Sequence, residues 1–241
     1  NEFEALSGFY PKVRTAFDVS QSENLAWAFA KFSDNKLLDE ARDFFHLMRE
    51  TGLLAQLQER YYGHQKQLDN VGTLTFLRQA DERLEKYQAL FEKTAQTHDV
   101  DWRLLAAIGY QESHWRSLAR SRTGVRGLMM LTRTTAKEMG VKNRLDAEQS
   151  IVGGSAYFAK LKKRFARVNE PDRTWLSLAA YNVGAGHVRD AQKLTEQQGG
   201  DPDRWMDVKD RLPLLTKKKY YKKTRYGYAR GYEPVHYVQN I

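Results

Sequence analysis

The sequence predicts a mainly α protein: a short α/β segment over residues 1–70, followed by a helical domain over residues 71–241. Three observations predict it. From Leu37 onward, apolar residues recur three and four positions apart, the period of a helix face. These stretches have ordinary globular-helix length and are bounded by capping residues and glycines. Only Val13, Thr15, Phe17 and Val19 alternate as a strand does, and one strand cannot make a sheet alone. A chain of 241 residues that is 41% hydrophobic can bury one large core or two small ones.

The elements follow in order. After the Val13–Val19 strand, Leu38, Ala41, Phe45 and Met48 mark one face of a helix from about Leu37 to Met48, which Gly52 breaks. Leu53, Leu54 and Leu57 open a second helical segment, closed by Tyr61-Tyr62-Gly63-His64. The polar stretch Gly63 to Gly72 reads as a linker. Thr73 to Thr97 is helical, with Leu77, Ala80, Leu84, Tyr87 and Phe91 on one face, and Asp101 is an N-cap for the next helix. A loop from Ser117 to Leu131 carries Gly124 and Gly127, and a short helix spans Thr132 to Met139. Asp146-Ala147-Glu148-Gln149 is a capping-box pattern ahead of a helix with Ile151, Gly154, Phe158, Leu161 and Phe165 on one face. Gly153-Gly154 near its start implies close helix packing or backbone near a ligand. Trp175, Leu178, Ala179 and Asn182 mark another helix, ended by Gly184 and Gly186, and Asp201-Pro202 starts a further one.

Glu112 stands out. Residues 105, 108, 112 and 115 are spaced three, four and three, so Glu112 shares a helix face with Leu105, Ile108 and Trp115. An ionised carboxylate on a buried face costs several kcal/mol, roughly, unless it is paired, hydrogen-bonded or protonated. Such a Glu is either a buried ion-pair member or an acid kept protonated for chemistry. It is also the sole acid between Asp101 and Lys137.

Composition narrows the alternatives. With no cysteine, disulfides, thiolate nucleophiles and Cys-ligated zinc are excluded. His114 and His187 lack a His partner at metal-binding spacing, so no metal or other cofactor is expected. No apolar run is long enough to span a bilayer. The opening Asn1-Glu2-Phe3 has no Met, basic region or apolar leader, and reads as the middle of a longer chain. The net charge of +9 favours an anionic partner. Its densest source is Lys217 to Arg230, where Tyr220, Tyr221, Tyr226 and Tyr228 interleave with seven cations and no acid. That pattern suits single-stranded nucleic acid, a sugar polymer, or simply a solvated charged face. No helix-turn-helix, RNP or zinc pattern supports nucleic acid.

Several blocks then occur in order: Glu112-Ser113-x-Trp115, Ser121-x-x-Gly124-Val125-x-Gly127-Leu128-Met129, Thr134-Thr135-Ala136, Ala179-Ala180-Tyr181-Asn182-x-Gly184, and Glu233-x-x-x-Tyr237-Val238. This set, over roughly 75 to 241, resembles the lytic transglycosylases related to goose-type lysozyme. The chain departs from the family's Gly-Ala-x-Gly-Leu-Met-Gln at Val125 and Met130. Leu212-Pro213-Leu214-Leu215 and Tyr226-Gly227-Tyr228-Ala229-Arg230-Gly231 look like the membrane-bound F subgroup. There the catalytic domain follows a domain resembling periplasmic amino-acid-binding proteins. Residues 1–66, with Leu25-Ala26-Trp27-Ala28, look like that domain's last portion.

The resemblance implies a lysozyme-like helical catalytic domain over 71–241, with 1–70 as the remnant and linker of a regulatory solute-binding-like domain. It implies cleavage of the MurNAc–GlcNAc β-1,4 bond of peptidoglycan without hydrolysis, with no cofactor. Glu112 would act as acid and then as base, and the muramic C6 hydroxyl would attack to leave a 1,6-anhydro end. Protonation near neutral pH then requires the pKa of Glu112 to rise from about 4.3 toward about 6–7, which burial favours. Ser121, Met129, Tyr181, Asn182 and Tyr237 would bind substrate. Four of the five have a plainer alternative: a turn cap for Ser121, core packing for Met129 and Tyr237, and a left-handed residue before Gly184 for Asn182. The partners implied are glycan strands and, at the regulatory domain, muropeptides. The setting implied is the periplasm, at the inner face of the outer membrane, with membrane contact through an anchor outside these residues and no nucleic-acid partner. A hydrolytic muramidase and a non-catalytic glycan-binding module remain the competing functions.

Overall fold

The computed structural model describes residues 16–17, 26–31, 34–62 and 70–241. The chain divides into two compact units, Asn1–Thr75 and Phe76–Ile241. Among the described residues there is no strand beyond isolated bridges in the loop after residue 117. Of the strand expected over Val13–Val19, Ala16 and Phe17 are described and neither is in a strand. The rest of that stretch lies outside the described residues, as do Gly63 and His64.

In the first unit, α1 (Lys36–Glu50) and α2 (Leu53–Tyr62) pack together. The expected face of α1 is the covered one: Met48 is buried, and Leu38, Ala41 and Phe45 are half-buried along the same stripe. Trp27 lies against Phe45, with ring centroids 4.9 Å apart. Gly52, at φ 73°, adopts the left-handed turn that ends α1.

A long helix follows, whose residues from Phe76 onward belong to the second unit. It runs as α3 (Asn70–Gln79), a π-helical turn (Ala80–Leu84) and α4 (Glu85–His98). Asn70 to Gly72, read in sequence as linker, thus already belong to a helix. Next come α5 (Trp102–Ser113), α6 (Arg133–Glu138), α7 (Ala147–Arg164), α8 (Asp172–Val183) and α9 (Ala185–Gln197). The chain closes with α10 (Trp205–Lys209), a 3₁₀ turn (Leu212–Thr216), α11 (Lys218–Tyr221) and α12 (Tyr232–Gln239).

The hub of this unit is α8. Leu176, Ser177, Leu178, Ala179 and Ala180 are buried in succession, so the helix is covered all round. Around it pack α7, α9 and α12, while α4 bridges α5 and α7. The start of α8 is fixed by Asp172, whose Oδ1 accepts from the Trp205 backbone N–H at 2.7 Å.

Glycine placement sets two close contacts. A Cβ on Gly153 would lie 2.3 Å from Val141 Cγ2, and one on Gly154 would lie 2.6 Å from Met129 Cβ. Close packing is therefore the role of this pair. The capping box at α7 forms by half: Asp146 accepts from the Gln149 N–H at 2.8 Å, but Gln149 Oε1 accepts from Lys142 and Asn143 instead of returning to Asp146. Two expected boundaries shift. Gly186 lies inside α9, because Gly184 at φ 91° alone separates α8 from α9. Asp201 and Pro202 precede α10 in a turn, with Asp201 Oδ1 accepting from the Asp203 N–H at 2.9 Å.

Candidate active site

Three pieces of chain converge on Glu112. The first is its own helix. Asp101 caps α5 through the Arg103 N–H at 2.8 Å. Leu105 and Ile108 are fully buried on the face that carries Glu112. The helix ends at Ser113, and His114 and Trp115 both turn left-handed, at φ 52° and 53°. Such a conformation costs a non-glycine residue about 1–2 kcal/mol. Compensating bonds hold it: Trp115 Nε1 donates to Ala106 O at 2.8 Å, and Arg83 Nη1 to His114 O at 2.9 Å. Trp115 is buried, as its place on the apolar stripe suggested, but it folds back over the helix instead of extending it. Its ring lies 4.8 Å from Tyr110 and 5.8 Å from Phe76.

The second piece is the loop from Ser117 to Leu131, held from three helices. Ser113 Oγ donates to Leu128 O at 2.8 Å from α5. Ser150 Oγ in α7 accepts from the Met129 N–H at 3.0 Å. Tyr181 Oη in α8 donates to Met129 O at 2.9 Å. Within the loop, Arg126 and Leu131 exchange backbone bonds of 3.2 and 2.9 Å. Gly127 has φ 87°, and a Cβ there would fall 1.7 Å from Arg144 O. Loop and helix are thus locked by bonds that leave little play.

The third piece is α12, from which Tyr237 Oη donates to Glu112 Oε1 at 2.8 Å. Desolvation pushes the Glu112 carboxyl from 4.5 up to about 7, against the opposing pull of the Tyr237 hydrogen bond. Burial likewise raises the phenols of Tyr237 and Tyr181 well above their ordinary value, with the nearby Glu112 charge adding to the shift. Both tyrosines therefore stay neutral donors across the useful pH range. A carboxyl poised near 7 can give up a proton and take one back with little bias either way.

Glu112 opens on a cleft of about 640 Å³ lined by Arg83, Lys86, Tyr87, Trp115, Arg116, Ser117, Leu118, Ala119, Arg120, Ser121 and Met130. Of the six residues singled out in sequence, Glu112 and Ser121 line it. Ser121 also caps its own turn, accepting from the Val125 N–H at 3.2 Å and sharing a 2.8 Å hydrogen bond with Thr123. Met129 does not reach the cleft. It is fully buried against Gly154 and Gly109, and Met130, left-handed at φ 47°, turns into the cleft in its place. Tyr237 is buried and hydrogen-bonds Glu112, whereas Tyr181 donates to Met129 O and feels the Glu112 charge without a hydrogen bond to it. Asn182 is exposed near the end of α8, within the helix and without positive φ.

Sequence reasoning missed the cationic lining. Arg83 and Lys86 share a helix face by their spacing, but a polar stripe on a surface helix gives no hint of what it overlooks. Arg116 and Arg120 sit in a loop whose path the sequence does not give. Among the described residues no group of His, Asp or Glu is arranged to hold a metal ion.

Residues 89–203 match the family model described as the Transglycosylase SLT domain. Over its whole length the chain is similar to the membrane-bound lytic murein transglycosylase F of Hahella chejuensis, at 54% identity over 241 residues, and of Marinobacter nauticus, at 55% over 242. It spans about half the length of these curated relatives, 47% and 48%. A solved structure of an inactive mutant of lytic transglycosylase Slt from Pseudomonas aeruginosa aligns with 64% of this chain and 22% of its own, at 23% identity and a TM-score of 0.45.

Proposed function

We propose that the chain cleaves peptidoglycan glycan strands as a lytic transglycosylase, with Glu112 as its single acid and base. One observation carries this: a carboxyl on an open cleft, pushed to about 7 by burial and held by Tyr237, with no second carboxylate among the described residues that line that cleft. Support also comes from the match of residues 89–203 to the SLT family model and from the names of the relatives matched along the whole of this chain.

The mechanism follows from that arrangement. Protonated Glu112 gives its proton to the glycosidic oxygen as the bond to the muramic anomeric carbon breaks. The substrate's N-acetyl oxygen shares the positive charge that develops there. Glu112, now a carboxylate, takes the proton of the C6 hydroxyl as that oxygen attacks the anomeric carbon. A 1,6-anhydro ring closes, no water is consumed, and Glu112 ends as it began. Intramolecular attack outruns water because its effective molarity is high. Ser121 on the cleft wall and Asn182 at the exposed end of α8 are the groups assigned to the sugar's polar substituents. Tyr181 and Met129 are assigned to holding the wall beside Glu112.

Residues 1–70 are assigned to the end of a solute-binding-like regulatory domain that takes muropeptides. The setting assigned is the periplasm, at the outer membrane. Support is the extension of similarity across those residues to relatives named membrane-bound. No helix among the described residues is long and apolar enough to cross a membrane.

Mass spectrometry of soluble fragments from purified peptidoglycan tests the reaction. Anhydro ends, lighter by one water than hydrolysed ends, are expected. Hydrolysed reducing ends would identify a muramidase, and strand binding without fragments would identify a non-catalytic module.

A further inference from the structure

Charge at the cleft is one-sided. Among the described residues, Arg83, Lys86, Arg116 and Arg120 line it against a single acid, Glu112. With its pKa at about 7, that acid is itself uncharged in a large share of molecules at neutral pH. Two of the cations are tied to backbone carbonyls at the end of α5: Arg83 to His114 O at 2.9 Å and Arg116 to Ser113 O at 3.0 Å. A neutral carbonyl leaves their charge uncompensated. Lys86 and Arg120 are exposed, and none of the four forms an ion pair within the described residues.

A glycan of N-acetylated sugars can accept hydrogen bonds from this lining but offers it no countercharge, because its backbone is uncharged. Neutral sugars are held by amides, hydroxyls and aromatic faces. Four cations facing a neutral polymer would only add repulsion among themselves. The charge of peptidoglycan lies elsewhere, in the carboxylates of the peptide stems joined to the muramic lactyl group. Those stems leave the glycan within one sugar of the bond to be cut. A guanidinium receives a carboxylate through two parallel N–H donors, and an ammonium receives it as a point charge.

We propose that Lys86 and Arg120, beside Arg83 and Arg116, receive the stem-peptide carboxylates, so that the cleft selects peptide-bearing strands over bare ones. This rests on the glycan-cutting function proposed above and adds the substrate feature that the cleft reads. Exposed pairs of this kind are individually weak, so removing two of them should raise KM about five- to tenfold and leave kcat within about twofold.

The test is steady-state kinetics on three substrates: strands with intact stems, strands whose stems an amidase has removed and whose freed muramic lactyl carboxylates are then converted to methylamides, and strands whose stem carboxylates are converted to methylamides. The wild-type chain should show its lowest KM on the first, and raised salt should erase that advantage by screening. K86Q/R120Q should raise KM on the first substrate alone, and K86R/R120K should restore it. Equal wild-type KM on all three, or equal losses for the glutamine variant on all three, would overturn the inference while leaving glycan cutting intact. Failure of the wild-type chain to cut any of the three would overturn the glycan-cutting function, and this inference with it.

Discussion

Tyr237 and Glu112 lie 125 residues apart in sequence, yet the tyrosine hydroxyl donates to Glu112 Oε1 at 2.8 Å. The bond joins α12, the last helix, to α5, the helix that carries the acid. It also opposes burial, since a donor to a carboxylate favours the charged form. The proton affinity of Glu112 is therefore a balance between desolvation and one phenol.

Replacing Tyr237 with Phe removes the side of that balance that holds the pKa down. The Glu112 pKa should rise above about 7, and the alkaline limb of the kcat/KM profile should move to higher pH. The carboxyl also loses the bond that positions it, so kcat should fall about tenfold or more. A pH–rate profile for Y237F checks both effects. An alkaline limb that stays put or moves to lower pH would show that Tyr237 does not set the proton affinity of Glu112.

Stability should report the same group. A carboxyl raised from 4.5 to about 7 binds more protons in the folded state than in the unfolded state between those values. Stability from this group is therefore fully present below about 4.5, declines as pH rises through about 7, and is flat above. Glu112→Gln carries no titrating group and escapes the decline. It should match the wild type near pH 4 and exceed it near pH 8 by about 1–3 kcal/mol, one pKa unit being worth about 1.4 kcal/mol. Urea unfolding at the two pH values measures the difference. A gap that did not widen with pH would show that burial does not raise this carboxyl.

Two glycines in the loop from Ser117 to Leu131 separate backbone strain from collision. Gly124 has φ 85° with open space around a would-be Cβ, so Gly124→Ala should cost about 1 kcal/mol. Gly127 has φ 87°, and its Cβ would also meet Arg144 O at 1.7 Å. Gly127→Ala must displace backbone as well, and should cost about 3 kcal/mol or more. Thermal unfolding of the pair should rank them in that order, with loss of activity following Gly127→Ala because the same loop carries Met129 and Ser121.

What the sequence disclosed, and what it hid, divides along physical lines. Helix faces were legible because burial imposes a period: Leu105 and Ile108, Ile151 and Phe158, and the stripe on α1 are covered as their spacing requires. Caps were legible because Asp101 and Asp146 accept from N–H groups two or three residues on. The two left-handed residues after Ser113 were not, since neither is Gly and what holds them comes from residues distant in sequence, Arg83 among them. For the same reason Met129 and Met130 were exchanged at the cleft: a turn at φ 47° decides which faces it, and no local pattern marks a left-handed methionine. The cationic lining was hidden because Arg83 and Lys86 belong to one helix and Arg116 and Arg120 to a loop after another. Only folding brings them to one cavity.

The central claim is that Glu112 alone moves the proton. Glu112→Gln keeps the size of the side chain and can still hydrogen-bond Tyr237, but it cannot deliver a proton. A general acid–base group contributes about 10²–10⁴-fold, and with no second carboxylate among the described residues at the cleft the loss should lie at the upper end of that range. The measurement is the rate of release of anhydro-ended fragments from purified peptidoglycan by the wild-type and glutamine chains, alongside circular dichroism to show that both are folded. A folded variant with release reduced at least about a thousandfold is the expected result. A folded variant that keeps more than about a tenth of wild-type release, against a general-acid contribution of that size, would show that another group delivers the proton.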